Sequence, residues 1–184
     1  MAIKDAMLGF LSWMPLTGYD LKKRFEDSAV FHWSGNNNQI YKALVELHNE
    51  GLVTLEVQQQ PDAPPRKIYT ITDAGRAALR DAVLSDPEVP QIRHEFLVQL
   101  AWADQLGDDE LQDLLRRYAD EIETEIRMFQ ERKARKKGSP ARTPREAFLW
   151  EMLLDNRIGF YENELRWIDT VRAGLDALNQ EESS

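Results

Sequence analysis

Four consecutive carboxamides, Asn36, Asn37, Asn38 and Gln39, run directly into Ile40, Tyr41 and Lys42. A carboxamide carries a donor and an acceptor on one planar head, so Asn or Gln can pair with adenine through two bonds, while Lys and Tyr reach phosphates or base edges. At the first turn of a helix such residues occupy the end that meets base edges when the helix lies in a major groove. The same run also suits an ordinary solvated helix start, because Asn caps helices for local reasons. Two smaller basic sets fit phosphate contact: Lys22, Lys23 and Arg24 downstream of Tyr19, and the pair Arg66 and Lys67. Each has a plain reading as solvated surface, and Asp62 works against the second set. A third tract, Arg132 to Lys137, holds five basic residues and reads as cations complementing a helix C-terminus.

Other chemistries find little material. There is no cysteine, and the three histidines, His32, His48 and His94, are not paired at ligand spacing, so no metal site and no cofactor is expected. Neither a glycine-rich phosphate loop nor a nucleophile elbow is present, and the carboxylates decorate helix faces, so the chain is not expected to be an enzyme. Five tryptophans are many for 184 residues. Most suit core packing, but Trp13 and Trp102, with Phe96, are candidates for an apolar pocket that takes a small aromatic effector.

The net charge of −9 seems to oppose nucleic-acid binding until it is divided along the chain. Residues 1–85 hold nine Lys/Arg against ten Asp/Glu, and residues 86–184 hold fourteen against twenty-two. The first half is nearly neutral and can present a basic face, while acid elsewhere disfavours non-specific adhesion to DNA. No apolar run approaches the ~20 residues of a membrane span, and no signal peptide is evident, so no membrane partner and a cytoplasmic setting are expected.

The elements that would position these residues follow from periodicity. Ile3, Met7, Phe10, Leu11 and Met14 predict a helix over 2–14, stopped by Pro15. Thr17 is placed to cap a second helix, GYDLKKRFED. Ser34, Gly35 and Asn36 offer the start of a third, with Ile40, Ala43, Leu44 and Leu47 on one face and Gly51 at its end. The period then changes to two: Val53, Leu55 and Val57 predict a strand, QQQPDAPP a loop, and residues 66–72 the return strand, after which Thr72 caps a fourth helix. Pro87 and Pro90 mark a hinge. The expected division is a winged helix-turn-helix domain over 1–85 and a helical dimerisation domain over 86–184, a mainly α fold with one small β-hairpin.

The second part reads as a short helix over 95–103, a long helix from Asp108 into the basic tract, and a last helix from Pro144 to about Leu178. Ala147, Leu154, Tyr161, Ile168 and Leu175 are heptad-spaced, with Ile158 and Leu165 in the alternate seam; Leu149, Leu153, Phe160 and Trp167 make a second stripe. Two apolar faces need two partners, the preceding helix and a second copy of the chain. Leu154, Ile158, Tyr161, Leu165 and Ile168 are the expected homodimer interface.

The segments LTGYDLKKRFE, FHWSGNNNQIYKALVELHNEGLV, RKIYTITDAGRAAL and HEFLVQLAWA together resemble the PadR family of transcriptional regulators, in its longer form with an extended helical C-terminal domain. The resemblance covers residues 3–103 by motif and the remainder by architecture. It implies a homodimeric winged-helix repressor on an inverted repeat of double-stranded DNA, released by a small molecule; phenolic acids and lipophilic drugs are effectors known in the family. It also implies that Tyr19, Asn37, Asn38, Gln39, Tyr41 and Lys42 meet DNA and that Arg66 and Lys67 lie at the wing. The phenolic-acid type carries a His-Ser pair and a proline around the QIY motif, where this chain has Asn37, Asn38 and Lys42, so its operator, and with it the effector class, is expected to differ from that type. The competing reading is a protein–protein adaptor whose winged helix no longer binds DNA; the polar, Asn-rich third helix argues against it, since an adaptor would show an apolar patch there.

Overall fold

The first helix, α1 (Ile3–Leu11), buries Met7, Leu8, Phe10 and Leu11 and stops three residues before the predicted end. Pro15 disfavours helical geometry at Met14, and the last turn tightens: Trp13 N–H bonds the Phe10 carbonyl at 3.1 Å, and the Ser12 hydroxyl bonds that of Gly9 at 2.7 Å. This computed structural model describes residues 3–28, 37–59, 61, 65–89, 94–135 and 140–182. The chain divides into two units, Met1–Glu88 and Val89–Ser184.

In the first unit a two-residue strand, β1 (Leu16–Thr17), leads into α2 (Gly18–Asp27), followed by α3 (Asn37–Asn49), β2 (Val53–Gln58), β3 (Arg66–Ile71) and α4 (Asp73–Leu84). The predicted hairpin is β2 and β3, in antiparallel register from Val53 opposite Ile71 to Gln58 opposite Arg66. The sheet gains β1 on the other side of β3, through Leu16 opposite Tyr69, so its order is β1-β3-β2. Two residues are too few for a periodicity to register, which is why this strand was not legible in the sequence.

Caps fix the helix ends. Thr17 and Asp20 form a reciprocal capping box at α2: the Asp20 amide bonds the Thr17 hydroxyl at 3.1 Å and the Thr17 amide bonds the Asp20 carboxylate at 3.0 Å. At the end of α3, Gly51 takes φ +70°, and two bonds close the turn, Gly51 N–H to His48 O and Leu52 N–H to Leu47 O. Thr72 then caps α4 through Gly75 N–H and donates its hydroxyl to Gly51 O at 2.8 Å, which ties α4 to the α3–β2 turn. Met7, Leu21, Leu44, Leu47 and Val53 form the centre of this unit's core, with Phe10 edge-on to Phe25 at 5.1 Å.

The second unit comprises α5 (Glu95–Ala101), a 3-10 turn at Ala103–Gln105, α6 (Asp108–Arg135) and α7 (Pro144–Glu182). At ~1.5 Å per residue the 28 residues of α6 span ~42 Å and the 39 of α7 ~58 Å. The two long helices run antiparallel: Tyr118 meets Glu164 near one end, while Phe129 stacks on Tyr161 and Lys133 pairs with Asp155 towards the other. Phe96, Leu115, Ala119 and Ile168 form the core at the α5 end.

The residues expected at the homodimer interface also take part in packing within the chain. Leu154, Ile158 and Ile168 are buried, Leu165 packs on the same core, and Tyr161 stacks on Phe129, all within one chain. Along part of its length the heptad stripe faces α6, through Tyr161 on Phe129 and through Leu165 and Ile168 on the core of Leu115 and Ala119. A heptad records that a partner helix exists, and an intrachain antiparallel helix satisfies it as well as another chain does. The stripe left open carries Phe148, Leu149, Met152 and Leu153, all exposed.

Candidate nucleic-acid interface

Helix α3 turns Ile40, Ala43, Leu44 and Leu47 into the core, and helical geometry therefore sends the other face outwards. Asn38, Gln39, Tyr41, Lys42 and Val45 are exposed there. Asn37 is the first residue of α3; its side chain, and Asn36, lie outside the described residues. On α2, Tyr19 is 67 % exposed and Lys23 is exposed, while Lys22 is half-buried and 3.5 Å from Glu26.

The two helices meet through Gly18 and Tyr41. A Cβ on Gly18 would lie 2.5 Å from Tyr41 Cε1, so the backbone at the head of α2 forms a seat for the Tyr41 ring. Tyr41 is nonetheless 50 % exposed, with one edge seated and the rest facing out. Behind it, burial together with the neighbouring Tyr41 pushes the Tyr69 hydroxyl above its ordinary pKa.

Arg66 and Lys67 open β3 and are exposed, and the Arg66 guanidinium stands 3.8 Å from the Asp20 carboxylate. Burial would raise the Asp20 carboxyl, but its bonds to the Thr17 hydroxyl and amide, and Arg66 nearby, outweigh that and hold it below the ordinary range. The capping residue of α2 thus also reaches the base of the wing, a link with no sequence signal because the partners are 46 residues apart. Among the described residues, Lys23, Lys42 and Lys67 pair with no carboxylate. Asp62 lies outside the described residues.

The remaining candidates separate. Lys133 pairs with Asp155 and Glu151, Arg135 pairs with Glu131, and Arg132 lies over the Phe129 ring, so this part of the basic tract is engaged within its own unit; Lys136 and Lys137 lie outside the described residues. Trp13 is half-buried in the first unit, edge-on to Phe10 and beneath Arg24 at 5.9 Å. In the second unit Phe96 is buried, stacked at 3.7 Å on Tyr118 and edge-on to Trp167. Trp102 ends α5 and is 73 % exposed.

Two family models match the chain, one for each part: the transcriptional regulator PadR-like family over residues 7–81 and the virulence activator alpha C-terminal family over residues 92–176. Residues 7–81 belong to the PadR-like family of transcriptional regulators. The negative transcriptional regulator PadR of Bacillus subtilis is 25 % identical over 177 residues, 95 % of this chain and 97 % of that one. Its crystal structure with operator DNA superposes with a TM-score of 0.81 at 25 % identity, covering 93 % of this chain and 96 % of that one. Its structure with p-coumaric acid gives 0.77 at 24 % identity, covering 95 % and 98 %. The Vibrio cholerae virulence activator AphA gives 0.69 at 26 % identity, covering 96 % and 99 %.

The PadR-like fold accounts for the winged helix and the paired long helices. What the sequence reading missed lies in the second unit, where Tyr118 bonds the Glu164 carboxylate at 2.8 Å and its oxygen is 2.9 Å from His94 Nε2. Burial and the Glu164 hydrogen bond push the Tyr118 hydroxyl well above its ordinary pKa. A tyrosine inside an apolar stripe gives no sequence sign of such partners, one 24 residues upstream and one 46 downstream. Among the described residues no group of His, Cys, Asp and Glu is arranged to hold a metal, and no helix is long and apolar enough to cross a membrane.

Proposed function

We propose that this regulator binds duplex DNA as a homodimer, represses from an inverted repeat and is released by a small aromatic effector. The observation that carries the reading is the outward face of α3: Gln39, Tyr41 and Lys42 project from a helix whose other face is the core, beside exposed Tyr19 and Lys23. The Bacillus subtilis relative, similar over almost its whole length, has been crystallised with operator DNA and is named a negative regulator, which favours repression. Its structure with p-coumaric acid favours an effector. The chain acts by binding rather than by catalysis, in the cytoplasm.

In this reading Asn36, Asn37, Asn38 and Gln39 approach base edges, Tyr41 and Lys42 reach bases or phosphates, Tyr19, Lys22 and Lys23 hold the flanking backbone, and Arg66 and Lys67 follow the adjacent groove. Dimerisation falls to the open stripe of α7, Phe148, Leu149, Met152 and Leu153, which is apolar and exposed in the single chain. The test is a gel shift with DNA from upstream of the regulator's own gene. Wild type is expected to shift it, and the Asn38→Ala, Lys42→Glu double variant is expected to lose that shift. Equal binding by the two proteins would remove α3 from the interface.

A further inference from the structure

Helix α3 keeps one aliphatic side chain out of the core. Of the aliphatic residues of α2 and α3 among those described, Leu21, Ile40, Ala43, Leu44 and Leu47 are buried, whereas Val45 is 56 % exposed. At about 3.6 residues per turn, Asn38, Lys42, Val45 and Asn49 stand at i, i+4, i+7 and i+11, in the row opposite the buried face. Every other member of that row is polar.

Local causes do not account for this valine. More than half of it faces solvent, and a β-branched side chain loses rotamer freedom in a helix, so neither burial nor propensity favours it there. What it supplies is a stiff apolar knob. Valine in a helix keeps essentially one χ1 rotamer, so its two methyl groups stand in fixed positions and a contact with them orders little.

The chemistry of the major groove narrows what such a knob can meet. Guanine, cytosine and adenine present hydrogen-bond donors and acceptors there, whereas thymine also presents its C5-methyl group. Against the other three bases valine would strip water from a polar edge and return no bond. We propose that Val45 is a specificity-determining residue that packs on the C5-methyl group of a thymine in each half-site. The inference rests on the DNA-binding reading above, and it adds a base identity to the operator. Val45 lies ~10 Å along the helix axis from Asn38, so the thymine falls within about three base pairs of the base that Asn38 meets.

The test uses the full chain and an operator duplex enriched from random sequence by binding to it. Single thymines are replaced by deoxyuridine, which keeps the base pair and removes only the methyl group. At one position in each half-site the replacement is expected to weaken wild type about fourfold, and about fifteenfold when both half-sites carry it, as loss of a methyl contact implies. Val45→Ala spares the core; it should weaken the thymine operator by a similar factor and become indifferent to deoxyuridine at that position. Lys42→Ala should bind both operators more weakly and keep their ratio. The proposal is overturned if no single deoxyuridine weakens wild type, if Val45→Ala keeps full sensitivity at every position, or if it binds the thymine operator as wild type does. It is also overturned if Val45→Ala changes the oligomeric mass, for then Val45 lies against a second chain. Failure to enrich any duplex would sink the proposed function and this inference with it; enrichment followed by a flat deoxyuridine series sinks the thymine assignment and leaves DNA binding standing.

Discussion

Tyr41 carries two demands at once, since its ring is seated on Gly18 and also faces outwards beside Tyr19 and Lys42. Gly18→Ala would place a methyl group where the ring now lies, and the flexible tyrosine must swing aside. Gly18 is the first residue of α2, where alanine gains little helix propensity over glycine, and the added methyl group also lies 3.3 Å from buried Leu44, so the melting temperature should hold or fall slightly. DNA affinity should nevertheless fall by about 1–3 kcal/mol if the Tyr41 position is used in a base contact. Gel shifts paired with thermal melts check this; unchanged affinity would mean the ring orientation is not read. A second prediction belongs to Tyr118, whose pKa is raised by burial and by Glu164. A tyrosine with a raised folded-state pKa contributes stability that is fully present below its unfolded value of ~10 and is lost as pH rises towards the folded one. Urea midpoints should therefore fall as pH rises above about 10 in wild type, and Tyr118→Phe should flatten that fall. An equally steep decline in the variant would place the alkaline sensitivity elsewhere, with Tyr161 and Tyr69, also raised by burial, the next to replace.

Among the elements, α7 separates what a sequence states from what it leaves open. Its start at Pro144 and its apolar periodicity were legible, because propensity and pattern are local. So were the α2 and α4 caps at Thr17 and Thr72 and the glycine that ends α3, each a residue type with one strong local use. Which of the two α7 stripes meets α6 was not legible, because both are apolar and only packing decides between them. The outward-facing positions of α3 were legible, because its core face fixes its opposite face, whereas the Gly18 seat and the Asp20–Arg66 link depend on contacts between separate elements. The assignment of the stripes can be tested directly. Leu149→Glu with Met152→Glu places charge on the open stripe and should give a folded monomer, with full helical circular dichroism and a halved mass in light scattering. Ile168→Glu buries an unpaired charge in the α5–α6–α7 core and should unfold that unit. If the first variant stays dimeric, the open stripe is not the interface.

At the scale of the whole molecule, charge and symmetry act together. Acid is concentrated in residues 86–184, and the nearly neutral residues 1–85 carry the exposed lysines of α2 and α3. A dimer built this way has a DNA face with a modest positive field and an acidic remainder that phosphates repel. Non-specific binding should be weak, and affinity should depend on engaging both half-sites. Light scattering should first give about twice the 21.3 kDa chain mass. Two copies related by a two-fold axis present two α3 helices, and on B-DNA these fit adjacent major grooves about 34–36 Å apart, one helical turn. Adding about five base pairs between half-sites turns one of them to the opposite side of the duplex, where the same dimer cannot engage both. Affinity for that operator should fall towards the non-specific level, roughly 10³-fold or more. Moreover, the salt dependence of the residual binding should be shallower, because fewer phosphates are neutralised. Gel shifts on operators of native and lengthened spacing, repeated over a range of salt, measure both quantities. Equal affinity at the two spacings would mean that each chain binds alone or that the dimer is hinged widely enough to follow the displaced half-site, and the rigid two-fold reader would have to be given up.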